Sequence, residues 1–442
     1  MMIKIKGDFE KAKKEMINDK NNAVSHIFEN AKNNSGILEK SVFTIKDVFA
    51  NFCAKTQASS FILKDFHANY NATVIQKLLD AGASPVAKVN CDELALGGEG
   101  IYSHWGIIAN PLNLKRKVGG SSSGSAATLT ENISFALASD TGDSVRLPAS
   151  FIGKVGFKPT YGAVSRFGMF AYASSLDTVA WFAHNVNDII QVAQAVYGKD
   201  EKDFTSKNVE IKNIKLTKPQ KIGYLNIKGQ HLLNKEIEDS YFNLVNKLAK
   251  EVTMEKIEPN AELLTAIKPV YDIISYSEAS SNLSNLNGIA FGQRQKGENW
   301  EEIMTNTRSK GFGKMVQRRL ILGSYFLEKD NQEKLFLRAQ KIRRLIKNYL
   351  DDLHSQYDIV IYPASASIAP LFDDKSKYGY MDYILTGSNL AGNPSITMKL
   401  EESKIEKMPF NLAIDAKSNN DKKLLEYALW IEQFINKGEN NE

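Results

Sequence analysis

Two kinds of apolar segment alternate along the chain, and their order restricts the folds that the chain can adopt. "NATVIQKLLDAG", residues 71–82, has the spacing of a helix ending at Gly82, and a short apolar segment, "SPVAKV", follows it. The same order recurs in "SAATLTENISFALASD", where a helix pattern runs into an apolar strand. It recurs again where residues 333–356 precede "YDIVIYP". Repeated helix–strand alternation predicts an α/β fold with a largely central sheet.

The remaining segments predict how helices are distributed around that sheet. Polar helices are expected around Phe9–Met16 and Ala23–Ala31, within a short N-terminal helical region of residues 1–40. "SVFTIKDVF" alternates apolar and polar residues, which is typical of a strand. Between about 200 and 345 helical patterns dominate and strands become scarce. Because no Pro/Gly-rich linker interrupts the chain, we predict one domain over 1–442, with 200–345 as a helical elaboration.

Composition excludes several classes of protein. The 442 residues are 43% hydrophobic and 24% charged, as in an ordinary globular protein, and the net charge of +5 comes without a dense basic stripe. The charge permits an acidic partner such as tRNA but does not predict one. Cys53 and Cys91 are too few for a disulfide framework or a CxxC metal pair. Neither a signal peptide nor an apolar run of about 18 residues is present, so we expect a cytosolic protein without membrane contact.

The run "VGGSSSGSAA", residues 118–127, is too small and polar to build a core. A phosphate-binding loop needs a lysine after its last glycine, and Ser125 follows Gly124 instead. The dinucleotide pattern GxGxxG does not fit either. A flexible connection remains an interpretation, as does a backbone that offers N–H groups at a helix start or presents a serine nucleophile.

A second small-residue segment, "SDTGDSVRLPAS" at 139–150, ends an apolar strand and leaves Ser144 in a tight turn. Backbone N–H groups beside a serine can form an oxyanion hole, so Ser144 is a candidate nucleophile. None of the six histidines suggests a base, and no G-x-S-x-G elbow is present. Lys46 lies in a predicted apolar strand. As a base it needs its pKa lowered by about 3 units, which burial can supply; an ordinary structural lysine is the alternative.

"GGSSSGSA" followed by "SDTGDSVRLPASFIGKVGFKPTYGAVSRFG" resembles the amidase signature family, from about Val42 to Asp188 and more weakly to about residue 400. The resemblance implies a central mixed β-sheet surrounded by α-helices. It also implies a Ser–Ser–Lys triad: Ser144 matches the nucleophile, Ser121 the relay serine that follows a cis peptide bond, and Lys46 the base. The implied oxyanion hole consists of backbone N–H groups at Thr141, Gly142, Asp143 and Ser144.

Within the family, "TYGAVSRFGMFAYASSLDTV" is similar to the glutaminase subunits of tRNA-dependent amidotransferases. Such subunits release ammonia from glutamine, and two partner subunits, B and C, use it to amidate Glu-tRNA(Gln) and, in many organisms, Asp-tRNA(Asn). The resemblance places Tyr271 at a glutamine-contacting tyrosine, Arg319 at the substrate carboxylate and Asp382 at the α-amino group. It implies no cofactor or metal in this chain and assigns ATP and Mg²⁺ to one of the partners.

The chain departs from the family at Asp143, where glycine is more common. We expect its carboxylate to point away from the oxyanion hole or to pair with Arg146, because a free anion there would repel the oxyanion. Two other functions remain open. One is a stand-alone amidase of other small amides, and the other is a scaffold subunit whose site no longer works, for which Asp143 is the motivating feature.

Overall fold

The computed structural model of the chain describes residues 5–31 and 35–439. Its strands are β1 Val24–Ile27, β2 Val42–Lys46, β3 Ser84–Val89, β4 Ala109–Asn110, β5 Asn113–Lys117, β6 Phe135–Asp140, β7 Val155–Lys158, β8 Thr178–Ala183, β9 Lys221–Leu225, β10 Thr253–Ile257, β11 Ile359–Pro363, β12 Ser395–Glu402 and β13 Pro409–Asp415. Its α-helices are α1 Phe9–Ile17, α2 Thr73–Asp80, α3 Ser123–Ala127, α4 Arg146–Ile152, α5 Val186–Val196, α6 Lys235–Leu248, α7 Ala261–Asn282, α8 Trp300–Gly311, α9 Lys314–Leu327, α10 Lys329–Gln332, α11 Arg338–Gln356, α12 Gly387–Ala391 and α13 Asp421–Glu439. Short 3-10 turns span Phe61–Leu63, Glu93–Ala95 and Gly379–Thr386, and a π-helical turn spans Glu333–Leu337.

Eleven of the described strands form one mixed sheet in the order β1-β3-β2-β6-β8-β7-β12-β13-β11-β9-β10. Parallel pairs occur at β3-β2-β6 and at β11-β9-β10, and the other pairs are antiparallel. The predicted fold class, a central mixed sheet surrounded by helices, is therefore confirmed. None of the helices in residues 5–31 and 35–439 has the length and apolar character needed to cross a bilayer.

At strands β2 and β6, alternating side chains separate two hydrophobic cores, one on each face of this part of the sheet. In β2 and β6, Phe43 and Phe135 belong to one core, and their rings stack with centroids 5.0 Å apart. Val42 and Ala136, their neighbours in sequence, belong to the other core. Successive residues of a strand point to opposite faces, so fully buried strands must be covered on both sides. Helices α5, α6 and α7 contribute to the first core, and α1, α3 and α4 to the second.

The parallel group β3-β2-β6 determines where chemistry can occur. The carboxyl ends of parallel neighbours lie at the same edge of a sheet, where the following loops converge. Lys46 is the last residue of β2 and pairs with Val89 at the end of β3, while Ile45 pairs with Leu137 of β6. The loops after β3 and β6 therefore begin beside Lys46.

The N-terminal prediction is half wrong. Residues Phe9–Ile17 form helix α1, as expected, but the helix predicted at Ala23–Ala31 is replaced by strand β1. Strand β1 pairs antiparallel with β3, and the N–H of Phe28 donates to the carbonyl of Val86 at 2.9 Å. Pairing with a distant strand has overridden a weak local helix pattern.

Between 200 and 345 the chain is mostly helical, as predicted, but it also contains β9 and β10, which the sequence patterns did not identify. These two strands form one end of the large sheet. The prediction of a single domain over 1–442 stays a prediction, and residues 1–4, 32–34 and 440–442 of that range lie outside the described residues.

Candidate active site

Lys46 ends in a cluster of serine hydroxyls. Its side-chain nitrogen, Nζ, lies 2.8 Å from Ser121 Oγ, 3.0 Å from Ser122 Oγ and 2.9 Å from Ser139 Oγ. The Lys46 side chain is fully buried, and no ion pair to its Nζ occurs among the described residues. A hydroxyl can donate to a neutral amine or accept from an ammonium, so this environment tolerates both forms of the lysine.

Burial lowers the pKa of Lys46 below its ordinary value, because an ammonium is disfavoured away from water. The carboxylates of Asp92 and Asp140 act in the opposite direction and only partly offset the effect. The lysine predicted as a base therefore lies in surroundings that make its ammonium form easier to deprotonate than in water.

Ser121 is presented by the Gly/Ser run immediately before helix α3. The Gly120–Ser121 peptide bond is cis, as the family resemblance implied. The N–H of Ser122 donates to the carbonyl of Ser144 at 3.3 Å, which joins this run to the loop after β6. The run is thus a tightly held loop and not a flexible connection, since Ser121, Ser122 and Ser123 are all buried.

Ser144 follows β6 in the turn that leads to α4, and its side chain is 6% exposed. Within the part of the chain that the structure describes, its hydroxyl makes no hydrogen bond, so the link from Ser121 to Ser144 is not formed here. Catalytic hydrogen bonds are often incomplete without a substrate. None of the four backbone N–H groups from Thr141 to Ser144 donates to another described residue, which leaves these donors available to an oxyanion.

The turn around Ser144 is held by a buried ion pair between Asp140 and Arg146. Arg146 Nε and Nη2 donate to the two carboxylate oxygens of Asp140 at 3.1 and 3.0 Å, and Nη2 also donates to the carbonyl of Gly142 at 2.7 Å. Burial alone would raise the pKa of Asp140, but the charge and hydrogen bonds of Arg146 hold that pKa below its usual value. Asp140 also accepts from the N–H of Val145 at 3.0 Å, so the loop curls around one carboxylate.

Of the two arrangements expected for the Asp143 carboxylate, pairing with Arg146 does not occur and pointing away does. The Arg146 guanidinium is occupied by Asp140 and by backbone and side-chain oxygens near the C-terminus, at Leu385, Ser388, Asn389 and Ser395. The Asp143 carboxylate points away into a cavity instead, and among the described residues it has no hydrogen-bond or ion-pair partner. Burial and the negative charge of Asp140 raise the pKa of Asp143 to about 7.

Arg319 and Tyr271 lie on the packed helix pair α9 and α7. Arg319 donates from Nη1 to the hydroxyl of Tyr172 at 3.0 Å and from Nη2 to the carbonyl of Gly97 at 3.2 Å, while its Nε is buried without a partner among the described residues. A Cβ at Gly142 would lie 3.2 Å from the hydroxyl of Tyr271, which places this tyrosine against the nucleophile loop. The guanidinium thus retains an unused donor for an incoming anion.

Asp382 lines a cavity of about 200 Å³ together with Asp143 and Tyr383. Burial raises the pKa of Asp382, and the N–H that Tyr378 donates to it at 2.9 Å opposes the shift. Arg319 does not line this cavity; its partner Gly97 is followed by Gly98, which does. The structure therefore places Arg319 and Asp382 in adjacent parts of the site, without contact between their side chains.

The sequence reasoning missed three groups that organise the site. Ser122 and Ser139 complete the hydroxyl cluster around Lys46. Asp177 accepts from the hydroxyl of Thr141 at 2.7 Å and fixes the start of the nucleophile loop. Asp92 was also missed, although an acidic residue shortly before the glycine-rich "GGEG" is typical of a side chain that binds backbone N–H groups.

In residues 5–31 and 35–439 no three His, Cys, Asp or Glu side chains group as metal ligands.

Comparisons with known proteins show which proteins the whole chain resembles. The family model described as amidase matches residues 11–425. The chain is 38% identical over 417 residues to the A subunit of the glutamyl-tRNA(Gln) amidotransferase of Mycoplasma genitalium, covering 90% of this chain and 87% of that protein. It is 36% identical to the corresponding A subunit of Sulfurimonas denitrificans over 98% of this chain and 99% of that protein. The crystal structure of the Thermotoga maritima A subunit superposes with a TM-score of 0.79 at 29% identity, covering 98% of this chain and 96% of that one.

Proposed function

Because the chain belongs to the amidase family, we propose that it hydrolyses the side-chain amide of glutamine and supplies the ammonia to a tRNA-dependent amidotransferase. The relatives that resemble it over most of their length are named as the A subunit of glutamyl-tRNA(Gln) amidotransferase. One observation carries the chemical part of the proposal. A fully buried lysine, with no counter-ion among the described residues, lies 2.8 Å from the hydroxyl of Ser121, beside the loop of Ser144.

The reaction begins with the neutral amine of Lys46. It accepts the proton of the Ser121 hydroxyl while Ser121 accepts the proton of Ser144, and the Ser144 Oγ forms a bond to the amide carbon of glutamine. The carbonyl oxygen becomes an oxyanion beside the backbone N–H groups of Thr141 to Ser144. The proton held by Lys46 returns through Ser121 to the amide nitrogen, the carbon–nitrogen bond breaks, and ammonia leaves. Water then attacks the acyl-enzyme by the same relay and releases glutamate.

Recognition of glutamine follows from its zwitterionic end. The unused Nε–H of Arg319, with the adjacent Nη–H groups, suits a carboxylate, and the Asp382 carboxylate suits an α-ammonium. A hydrophobic amide would leave both charges unpaired in a partly buried site, which is unfavourable. Tyr271 fills the space between the arginine helix and the nucleophile loop, so we assign it a contact with the substrate.

The proposal includes the setting of the reaction. We assign the chain to a complex with two partner subunits, B and C, that receive the ammonia and amidate Glu-tRNA(Gln), with Asp-tRNA(Asn) as a further substrate to be tested. ATP and Mg²⁺ are assigned to one of these partners, and this chain is assigned no cofactor of its own. We expect misacylated tRNA to be a partner of the whole complex. We place the complex in the cytoplasm.

The test measures glutamate and ammonia released from glutamine by the chain alone and by the complex reconstituted with both partner subunits. We expect Ser144→Ala to abolish release and the matched control Ser125→Ala to retain it. Ser125 is also buried in the Gly/Ser run, but its hydroxyl donates only to the carbonyl of Leu137, at 3.4 Å, among the described residues.

Three outcomes would contradict the proposal in different ways. Unchanged hydrolysis in Ser144→Ala would reject the nucleophile. Hydrolysis of hydrophobic amides without preference for glutamine would identify a stand-alone amidase. A wild-type complex that amidates tRNA only with added ammonia, and never with glutamine, would identify a scaffold subunit.

A further inference from the structure

Asp92 is a buried carboxylate that follows strand β3 and captures a whole loop. Its side chain is fully buried. Oδ2 accepts from the N–H groups of Gly98, Glu99 and Gly100 at 2.7, 3.1 and 3.2 Å, and Oδ1 accepts from the N–H of Tyr102 at 2.9 Å. Four backbone donors around one carboxylate fix the loop, because each would be left unsatisfied if the carboxylate were lost.

The backbone of Asp92 contacts the loop that presents the relay serine. Its N–H donates to the carbonyl of Ser121 at 3.0 Å. A Cβ at Gly120 would collide with the Asp92 carboxylate, so the cis peptide unit lies directly against this residue. The position of the Ser121 hydroxyl beside Lys46 therefore depends on a contact with Asp92.

The same carboxylate also contacts the part of the loop that accepts a hydrogen bond from Arg319. A Cβ at Gly97 would collide with the Asp92 side chain, and the carbonyl of Gly97 accepts from Arg319 Nη2 at 3.2 Å. Asp92 thus contacts the loop of Ser121, the relay serine, and also Gly97, whose carbonyl accepts from Arg319.

Glu93, the next residue, contacts the helix on which Arg319 lies. Its Oε2 accepts from the N–H of Gly313 at 2.9 Å, immediately before helix α9, and its Oε1 accepts from Ser60 Oγ at 2.5 Å. A carboxylate at a helix N-terminus is favourable for the exposed N–H groups and the helix dipole. Glu93 is 3% exposed, and no lysine or arginine forms an ion pair with it among the described residues.

We infer that Asp92 and Glu93 are positioning residues. Together they fix where the relay serine, Ser121, lies relative to Arg319, the arginine assigned to the substrate carboxylate. Asp92 fixes both Ser121 and the Gly97 carbonyl, whereas Glu93 fixes only the start of the helix that carries Arg319. The inference rests on the proposed function in so far as Arg319 is taken to bind the substrate carboxylate.

The experiment separates the two halves of the site. Modification of Ser144 by phenylmethylsulfonyl fluoride, followed by intact mass, reports the lysine–serine relay, and protection by glutamine reports the arginine. We expect Asp92→Asn to slow modification at least tenfold and to raise the half-protecting glutamine concentration at least tenfold. We expect Glu93→Gln to leave modification within twofold of wild type while weakening protection at least fivefold.

A buried carboxylate whose hydrogen-bond partners lie outside these loops provides the control. Asp421 is fully buried and accepts from the N–H and hydroxyl of Thr160 at 2.8 and 2.5 Å and from the hydroxyl of Tyr197 at 2.7 Å. Asp421→Asn should lower the unfolding temperature without changing modification or protection, because it disturbs neither loop. If Asp92→Asn does not fold, Gly97→Ala replaces it, since the added methyl group displaces the same carboxylate.

The outcomes distinguish this inference from the proposed function. Wild-type protein that is not modified at Ser144 would reject the proposed chemistry itself. Wild-type protein that is modified but not protected by glutamine would reject the proposed substrate, and the modification rate of Asp92→Asn would then decide the inference alone. Three results would overturn the inference. Asp92→Asn could behave like wild type, or it could change only one of its two readouts while glutamine protects wild type. Asp421→Asn could also have effects equal to those of Asp92→Asn.

Discussion

Two lysines on adjacent strands, Lys46 on β2 and Lys88 on β3, are both fully buried but have different partners. Lys88 Nζ lies 2.9 Å from the carboxylate of Asp47 and also donates to the carbonyls of Phe49 and Lys55 at 3.1 and 2.7 Å. Lys46 Nζ contacts three serine hydroxyls and, among the described residues, no carboxylate. Asp47 follows Lys46 directly, in the turn after β2, but its carboxylate reaches Lys88 and not Lys46.

The difference shows that burial alone does not make a base. Burial lowers the pKa of both lysines, but at Lys88 the Asp47 carboxylate, 2.9 Å from Nζ, opposes the shift. At Lys46 the three nearest partners are hydroxyls, which can donate as well as accept, and the carbonyl of Ser139 lies farther away at 3.4 Å. The Asp47 carboxylate therefore favours the ammonium form of Lys88, whereas the hydroxyls around Lys46 can exchange a proton with its amine.

Replacing each lysine by methionine should break the comparison most strongly. Lys46→Met should lower kcat for glutamine hydrolysis about 10²–10⁴-fold, because the proton acceptor is lost. Its free energy of unfolding should change little, since no ion pair is broken. Lys88→Met should instead cost about 3–5 kcal/mol of stability, because it leaves Asp47 buried and unpaired. Steady-state kinetics and urea denaturation of both variants measure the two effects.

A result in which both variants lose activity in proportion to stability would contradict this contrast. The double variant Asp47→Asn/Lys88→Met serves as the control, because it removes the buried pair together. It should recover much of the stability lost in Lys88→Met while kcat stays near that of wild type.

Arg319 extends the comparison to a half-buried cation whose carboxylate is expected to come from the substrate. Arg319→Lys keeps the charge but loses the planar pair of donors, so the KM for glutamine should rise about 10- to 100-fold, corresponding to about 1.5–3 kcal/mol. The change in kcat should be smaller. Arg318→Lys, on the exposed neighbour, is the matched control. A lower kcat at an unchanged KM would show that Arg319 acts in the chemical step and not in binding.

Asp143 sharpens the comparison with the opposite charge, because it is a carboxylate without the partner that Asp140 has in Arg146. Its pKa of about 7 makes it an anion at higher pH, where it repels the developing oxyanion. Asp143→Asn should therefore leave kcat unchanged near pH ~6 and raise it about threefold above pH ~7. The pH dependence of kcat measures this effect. Asp374→Asn, at an exposed position on the same cavity, should not alter the profile, and a gain equal at all pH values would exclude titration of Asp143 as the cause.

The fold was predictable where the signal is local. Helix α2, strand β3 and strand β2 follow from the period of their apolar residues, and the apolar neighbours of Lys46 predict its burial. Strand β1 was missed because its pairing partner, β3, lies about sixty residues further along the chain, where a local pattern carries no information about it. Strands β9 and β10 were missed for the same reason.

The site was predictable in its residue types but not in its pairings. The two motifs indicate Ser121 and Ser144, yet the choice between Asp140 and Asp143 as the partner of Arg146 depends on how a short turn curls. The roles of Ser139 and Asp92 depend on which loops meet at the carboxyl ends of β3, β2 and β6. The spacing of residues in the sequence shows neither how the turn curls nor which loops meet.

The guanidinium of Arg146 connects the nucleophile turn to a segment that is distant in sequence. Four of its acceptors lie between Leu385 and Ser395, nearly 250 residues downstream, and the carbonyl and side-chain oxygens there are within 2.6 to 3.0 Å. The turn that presents Ser144 is therefore held from two sides, by the nearby carboxylate of Asp140 and by a segment that lies more than two hundred residues further along the chain.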